Sequence, residues 1–568
     1  MQKSTVAKVA RDFRRTMWVM GGFSFVTNLL LLAIPLYMLQ IYDRVLPSQS
    51  NDTLLFLSLI AIFALLVLAL LEVVRSMLAN RAAARFDAGL SELAMRTVIR
   101  QGAASGGNVQ PMRDLAALRN LLSSKLVFGV LDLPFAWIFI AILYFIHPAL
   151  FWLTLAGAAV LAMLAMLNQF AIGAASRQQA DKAIQSGQRA DFLARSADSL
   201  IAMGMVSDVL DNWGSVHADG LVAGDRAARI NAWFAAVSRF LRLGLQIAIL
   251  GYGAGLVLAG EMTPGMIFAS SLISGRGLQP IDQIIGSWRQ LLAGWQSWKR
   301  LSGSLTNADR REAYTALPTP AGKIGAEGIF VPNPSDPTKA PILHRVSFML
   351  QPGESVAVLG PSGSGKSTLA RLLVGAMQPR AGHVRLDGHD LANWDPEVLG
   401  KHIGYLAQDV ELIPGTIAQN IARFDPNASD EEINKAARLA HVEDLIQRMP
   451  QGYDTLIGPG GLQVSGGEKQ RIGLARAFFG DPRILVLDEP NSSLDRIGEM
   501  ALMKALVGAK KSGITTFIIT QREMVLAAVD KILRMQNGMI TDFDNRDVVI
   551  AKYRQESARA SGKPEKVN

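Results

Sequence analysis

The run Gly360-Pro361-Ser362-Gly363-Ser364-Gly365-Lys366-Ser367-Thr368 sets three glycines, a lysine and four hydroxyls in nine consecutive positions. Glycines let successive backbone N–H groups converge on one point, and a helix starting at the end of such a loop adds its positive dipole there. Phosphate oxygens are the ligand this suits. Lys366 supplies a mobile cation for the outer phosphates, and the Ser367 hydroxyl is placed to ligate Mg2+. A strand-forming run, Val356 to Leu359, precedes the loop and the helix-forming LARLLVGAM comes after it, which is the setting that GxxxxGK[ST] requires. Further on, ILVLDEP ends a buried-strand pattern, Ile484 to Leu487, in two carboxylates. Asp488 would hold Mg2+ through water, and Glu489 would polarise an attacking water. Alone, an acidic turn after a core strand explains the same residues; downstream of a phosphate loop the catalytic reading is preferred.

Between these two motifs lies VSGGEKQR, where Ser465, Gly466, Gly467 and Glu468 open a second anion-binding helix N-terminus. In this order and position the motif resembles the signature of ABC ATPases. In that family the signature meets the γ-phosphate bound by the opposite subunit, so the resemblance implies ATP and Mg2+ as cofactors and a working homodimer. Gln408, in IGYLAQDVELIPGTIAQNI, resembles the Q-loop, which implies contact with Mg2+ and coupling to membrane helices. Asn491-Ser492-Ser493-Leu494-Asp495 resembles the D-loop, with Asp495 at the nucleotide. Two positions depart from the family pattern. Gln521 follows TTFIIT where a switch histidine is expected, and is carried as a catalytic donor of weaker effect. GIFVPNPSDPTKAP has no tyrosine to stack adenine, and Phe330 is the only nearby ring.

The elements that position these motifs occupy less than half of the 568 residues. Half of all residues are hydrophobic and only 18% are charged, against about 25% in soluble domains. Apolar runs near 17 to 39, 53 to 78, 126 to 146, 148 to 170, 236 to 259 and 264 to 291 can each cross a core of about 30 Å. The long links between them, near 79 to 125 and 171 to 235, are rich in arginine and helical in pattern. They read as cytoplasmic helical extensions, with the basic N-terminus on the same side and no cleaved signal. The formal charge of +9 is spread along these flanks, which argues for a membrane surface and against nucleic acid. With no cysteine there is neither a disulfide nor a cysteine nucleophile. In the last run Arg276, Asp282 and Arg289 are unusual: Arg289 fits a hydrated interface, Asp282 is left open between that and a buried role, and Arg276 points to a transport path or a subunit interface.

The fold class expected is a six-helix membrane domain of ABC exporter type fused to an α/β P-loop NTPase domain. The expected boundaries are 1–305 for the membrane domain, 306–323 for a linker, 324–553 for the ATPase and 554–568 for a polar tail. QIYDRVLPS (40 to 48), LDLPFAWIFIAILYFIHP (131 to 148) and MTPGMIFASSLISGRGLQPIDQIIGSWRQ (262 to 290) resemble type I secretion permease/ATPases, in the branch exporting RTX-type metalloproteases and lipases. That resemblance implies an inner-membrane homodimer in contact with membrane lipid. It also implies a periplasmic membrane-fusion adaptor, an outer-membrane channel and a secreted, unfolded polypeptide as cargo, with no N-terminal peptidase-like domain. A lipid or peptide exporter of the same architecture is the alternative, and a low-turnover nucleotide-sensing scaffold is disfavoured by the retained Glu489.

Overall fold

A computed structural model describes residues 5–105, 109–308, 317–333, 336 and 339–552. The tail expected at 554–568 and the 309–316 part of the expected linker lie outside the described residues. The chain divides into two compact units, Met1–Arg311 and Glu312–Asn568.

The first unit is built from helices. Asn51–Ser105, Pro148–Arg195, Val206–Leu258 and Pro264–Ala308 have 55, 48, 53 and 45 residues. At 1.5 Å per residue each is about 70–80 Å long, more than twice the thickness of a hydrocarbon core. Each therefore runs well past the apolar stretch it contains. Two of the expected spans bend at prolines. The first breaks at Leu31-Leu32, between helices Thr5–Leu30 and Ala33–Gln40, because Pro35 has no N–H to return to the Leu31 carbonyl. It runs on through a single π-helical turn, Ile41–Val45, to the short helix Leu46–Ser48. The third consists of Leu126–Asp132, a 3₁₀ turn Leu133–Phe135 around Pro134, and Ala136–Ile146.

Among the described residues, five segments are long and apolar enough to cross a membrane: Val6–Ser48, Asn51–Arg100, Leu126–Ile146, Pro148–Arg195 and Val206–Leu258. The sixth expected run lies in the helix Pro264–Ala308, which is long enough but carries Arg276, Asp282 and Arg289 among serines and glycines. Large apolar side chains such as Leu59, Phe63, Phe170 and Phe240 face outward. Several polar groups are turned in and paired, which lowers their cost in a hydrocarbon surround. Buried Arg75 donates to Ser24 Oγ at 2.9 Å and to Asp132 Oδ1 at 3.0 Å, and Asn28 Nδ2 donates to the same carboxylate oxygen at 3.0 Å.

The second unit is α/β. A six-stranded sheet has the order 539–545, 531–536, 355–359, 515–519, 484–488, 403–406, antiparallel only at the first pair. An antiparallel sheet of four strands, ordered 343–350, 324–331, 381–386, 389–390, stands beside it. The central strands Ser355–Leu359, Ile484–Asp488 and Thr515–Ile519 are almost wholly buried and carry the apolar runs Val356–Leu359, Ile484–Leu487 and Phe517–Ile519, as parallel strands covered on both faces must.

Candidate active site

Parallel strands release their following loops at one edge of the sheet, where ligands of α/β folds bind. Strands Ser355–Leu359, Thr515–Ile519, Ile484–Asp488 and Ile403–Leu406 are neighbours in that order. They deliver, respectively, the glycine loop, Gln521, the pair Asp488-Glu489 and Gln408 to that edge. Four segments separated by tens of residues in the chain thus meet because the strands carrying them pair.

The loop's glycines answer to space and to backbone conformation. Gly365, at φ +91°, precedes the helix Lys366–Leu373, and a Cβ there would sit 2.8 Å from the Ile342 carbonyl oxygen. A Cβ on Gly360 would come within 2.3 Å of the Met535 carbonyl oxygen. Lys366 is buried, and its Nζ donates to the carbonyls of Gly360 and Pro361, each at 2.8 Å. The cation is thereby curled over the loop whose anion it would meet. Ser364 Oγ is buried without a partner.

Asp488 is 2% exposed, and its Oδ1 has no hydrogen-bond partner. Burial pushes its carboxyl above the usual range; a hydrogen bond from Ser367 opposes this, the Glu489 charge adds to it, and the Lys366 charge again opposes. A buried, unpartnered carboxylate oxygen beside a serine hydroxyl fits a hydrated Mg2+, which takes one or two carboxylates and completes its shell with water and phosphate. Glu489 sits at φ +48°, with its N–H donating to the Ile519 carbonyl at 3.0 Å. Its Oε2 accepts from Gln408 Nε2 at 3.0 Å, so two residues 81 apart in sequence meet.

The signature opens the helix Gly466–Phe478 with Ser465 as N-cap in a capping box with Glu468: Ser465 N–H donates to Glu468 Oε2 at 2.7 Å and Glu468 N–H to Ser465 Oγ at 3.3 Å. Among the described residues no hydrogen bond joins residues 465–468 to the loop 360–368. Gly467 lies against the D-loop turn, where an added Cβ would be 2.8 Å from the Ser493 carbonyl oxygen. Asp495 caps the helix Arg496–Lys511 by accepting from Gly498 N–H at 2.7 Å. Gln521 is exposed, and lines a cavity of about 1170 Å³ together with Gly360, Pro361 and Ser362. Phe330 meets the His344 ring edge to face at 6.2 Å, an aromatic neighbour that the linear sequence does not reveal.

One residue of the site lies within VSGGEKQR but is not among the residues that the sequence pattern assigns to it. Gln470 is 2% exposed; its Nε2 donates to the Glu489 carbonyl at 3.0 Å and to Ser492 Oγ at 3.2 Å, and its Oε1 accepts from Ser493 N–H at 3.0 Å. It ties the signature helix to the turn bearing Glu489. Flanked in sequence by Glu468, Lys469 and Arg471, it gives no local sign of being buried.

Residues 343–492 match the family profile "ABC transporter", and residues 17–279 match "ABC transporter transmembrane region". The chain is 37% identical over 549 residues to the type I secretion system ATP-binding protein PrsD of Rhizobium meliloti, covering 96% of this chain and 94% of that one. The chain belongs to the ABC transporter family. This transporter is also 29% identical over 548 residues to the leukotoxin translocation ATP-binding protein LktB of Bibersteinia trehalosi, covering 94% of its own length and 76% of that relative's. A bacterial Atm1-family ABC exporter with ATP bound superimposes with a TM-score of 0.80 at 22% identity, over 98% of this chain and 99% of that one, which shows the ABC exporter fold. The transporter is accordingly a multi-pass membrane protein that binds and hydrolyses ATP.

Proposed function

We propose that this transporter drives an unfolded polypeptide across a bacterial inner membrane as the ATP-hydrolysing component of a type I secretion system. The observation that carries this reading is the 37% identity to PrsD over nearly the whole chain, membrane unit included, since ATPase motifs alone do not separate protein exporters from lipid exporters. It acts as a homodimer, with its ATPase unit in the cytoplasm, a periplasmic adaptor and an outer-membrane channel.

In the chemistry we assign, residues 360–368 cradle the phosphates, with Lys366 swinging from its two carbonyls onto them. Ser367, Asp488 and Gln408 would hold Mg2+, which when bound neutralises charge on the outer phosphates. Glu489 is the base for the attacking water, with its carboxylate held by Gln408. Ser465, Gly466, Gly467 and Glu468 of one subunit, with Asp495, complete the site holding the other subunit's ATP. Gln521 donates a neutral hydrogen bond to the γ-phosphate.

The test is the culture medium of a strain lacking the gene, complemented with the wild-type chain or with Glu489→Gln. A polypeptide that vanishes on deletion returns with the wild type and not with the variant. An unchanged set of secreted proteins beside an altered membrane-lipid distribution would replace this reading with lipid export.

A further inference from the structure

Where the N-terminal helix Thr5–Leu30 lies along Asn51–Ser105, the two touch closely at one level. Val9 packs where Gly89 has no side chain, since an added Cβ would be 2.7 Å from Val9 Cγ2, and Phe13 meets Phe86 with ring centroids 5.5 Å apart. Beside this contact a groove of about 640 Å³ stays open. Its walls are of two kinds: Phe13, Val19 and Leu78 are apolar, while Lys8, Arg15 and Arg85 are cationic, with Asp12 the single carboxylate.

Position along the helices gives this division a meaning. The first apolar run starts near residue 17 and the second ends near 78, so Val19 and Leu78 lie at hydrocarbon depth. Lys8 and Arg85 lie about 10–17 Å farther along their helices, on the water side. The groove thus runs from headgroup level into the acyl layer. Its cations also lack protein partners: among the described residues none of Lys8, Arg15 and Arg85 is in an ion pair. Four arginines farther along the extensions are matched, in Arg96–Glu92, Arg113–Asp191, Arg119–Asp87 and Arg300–Asp114.

We propose that this groove binds one anionic glycerophospholipid, its phosphodiester held by Lys8, Arg15 and Arg85 and one acyl chain lying along Phe13, Val19 and Leu78. A net charge of two positives over Asp12 complements a phosphodiester, and basic pockets beside membrane helices on the cytoplasmic side recognise such headgroups. A free phosphate would satisfy the cations and leave the apolar wall without a ligand. The inference concerns the membrane unit alone, so it does not depend on what the transporter exports.

Native mass spectrometry of the full-length transporter, exchanged against mixtures of phosphatidylglycerol and phosphatidylcholine, reads the site directly. The wild type should retain phosphatidylglycerol preferentially. The combined variant Lys8→Gln, Arg15→Gln, Arg85→Gln should weaken that retention on the order of 10²-fold, from about fivefold for each cation. The matching control is Arg11→Gln, Arg14→Gln, Arg81→Gln, which removes the same charge from the same two helices at positions that do not line the groove. It should retain the lipid as the wild type does. Should the triple groove variant fail to insert, Arg85→Gln alone carries the test with an expected loss of about fivefold. Equal loss in the control would mean diffuse surface charge, and equal retention of the two lipids by the wild type would mean no headgroup selection. Displacement of the lipid by inorganic phosphate at matched ionic strength would mean a free-phosphate site. Each of these overturns the proposal.

Discussion

The phosphate-loop site of the ATPase unit and the helix contacts of the membrane unit use buried polar groups differently. In the ATPase unit the buried polar atoms at the site are left open: Asp488 Oδ1 and Ser364 Oγ have no partner, and Lys366 rests on carbonyls it can leave. In the membrane unit several buried charges are matched to one another, although Arg75 Nε, Asn168 Oδ1 and Ser176 Oγ are buried without a partner. Arg75 meets Asp132, and Asp282 accepts from Ser238 at 2.8 Å and from Arg242 at 3.2 Å. Unpaired polar groups inside a protein cost free energy unless a ligand completes them, so the first pattern marks a site that awaits charge. The second pattern marks charges whose partners fix which helices lie together. Arg276 stands between the two patterns, half-buried and, among the described residues, donating to Gln279 alone, at 3.2 Å.

The sharpest test of this contrast removes the base from the open site. Glu489→Gln should lower ATP turnover by about 10²- to 10⁴-fold while ATP-driven dimer closure, followed by cross-linking, persists. Residual turnover near the wild-type level would mean another group activates the water. Composite sites predict a further result from mixed dimers. A heterodimer of Ser465→Arg with Lys366→Ala has both lesions in one site and leaves the other site intact, so it should keep activity that neither homodimer has. Activity equal to that of the homodimers would remove the picture of two independent sites.

Next in size is the link between signature helix and catalytic turn. Gln470→Ala strips two donated bonds and one accepted bond from the Glu489–Ser493 turn. It should cut kcat about tenfold with little change in KM for ATP, because no loop residue in 360–368 is touched. A parallel rise in KM would reassign Gln470 to general folding of the unit.

For the membrane unit, Arg242→Leu leaves the half-buried Asp282 carboxylate without its cation and should destabilise by about 1–3 kcal/mol, read as a lower thermal-aggregation midpoint in detergent. The double variant Arg242→Leu, Asp282→Leu should recover part of the loss. A double variant no better than the single one would show that the pairing does not hold these helices. The smallest effect is expected at Gln521, whose amide is exposed and makes no hydrogen bond among the described residues. Gln521→His should raise turnover severalfold at most, about the part of one donor's 10²-fold effect that an amide fails to supply. Unchanged or lower steady-state turnover in nanodiscs at saturating Mg-ATP would make glutamine an equivalent donor here.

The glycine loop, the paired carboxylates and the signature were legible because each is a short stretch whose function comes from its own backbone. Glycines permit the turn, a helix start aims its dipole, and a buried strand carries the residues at its end to the sheet edge. The apolar runs were legible for a similar reason, since hydrophobicity over some 20 residues needs no knowledge of neighbours. Their interruptions were half visible: Pro35 and Pro134 stood in the sequence, yet whether a proline bends a membrane helix or ends it depends on the groups packed at the bend. Asp282 shows the limit, since the sequence leaves its surroundings open and the structure pairs it with Arg242, 40 residues earlier on another helix. Gln470 shows it again, since nothing in EKQR separates the buried glutamine from its three charged neighbours. Sequence alone thus determined which residues can cradle phosphate, activate water and live in lipid. Tertiary structure decided who meets whom, Gln408 with Glu489, Gln470 with Ser493 and Arg75 with Asp132. The free energy of a polar group in a low-dielectric interior is set by its partner, and that partner is chosen by strand order and helix packing.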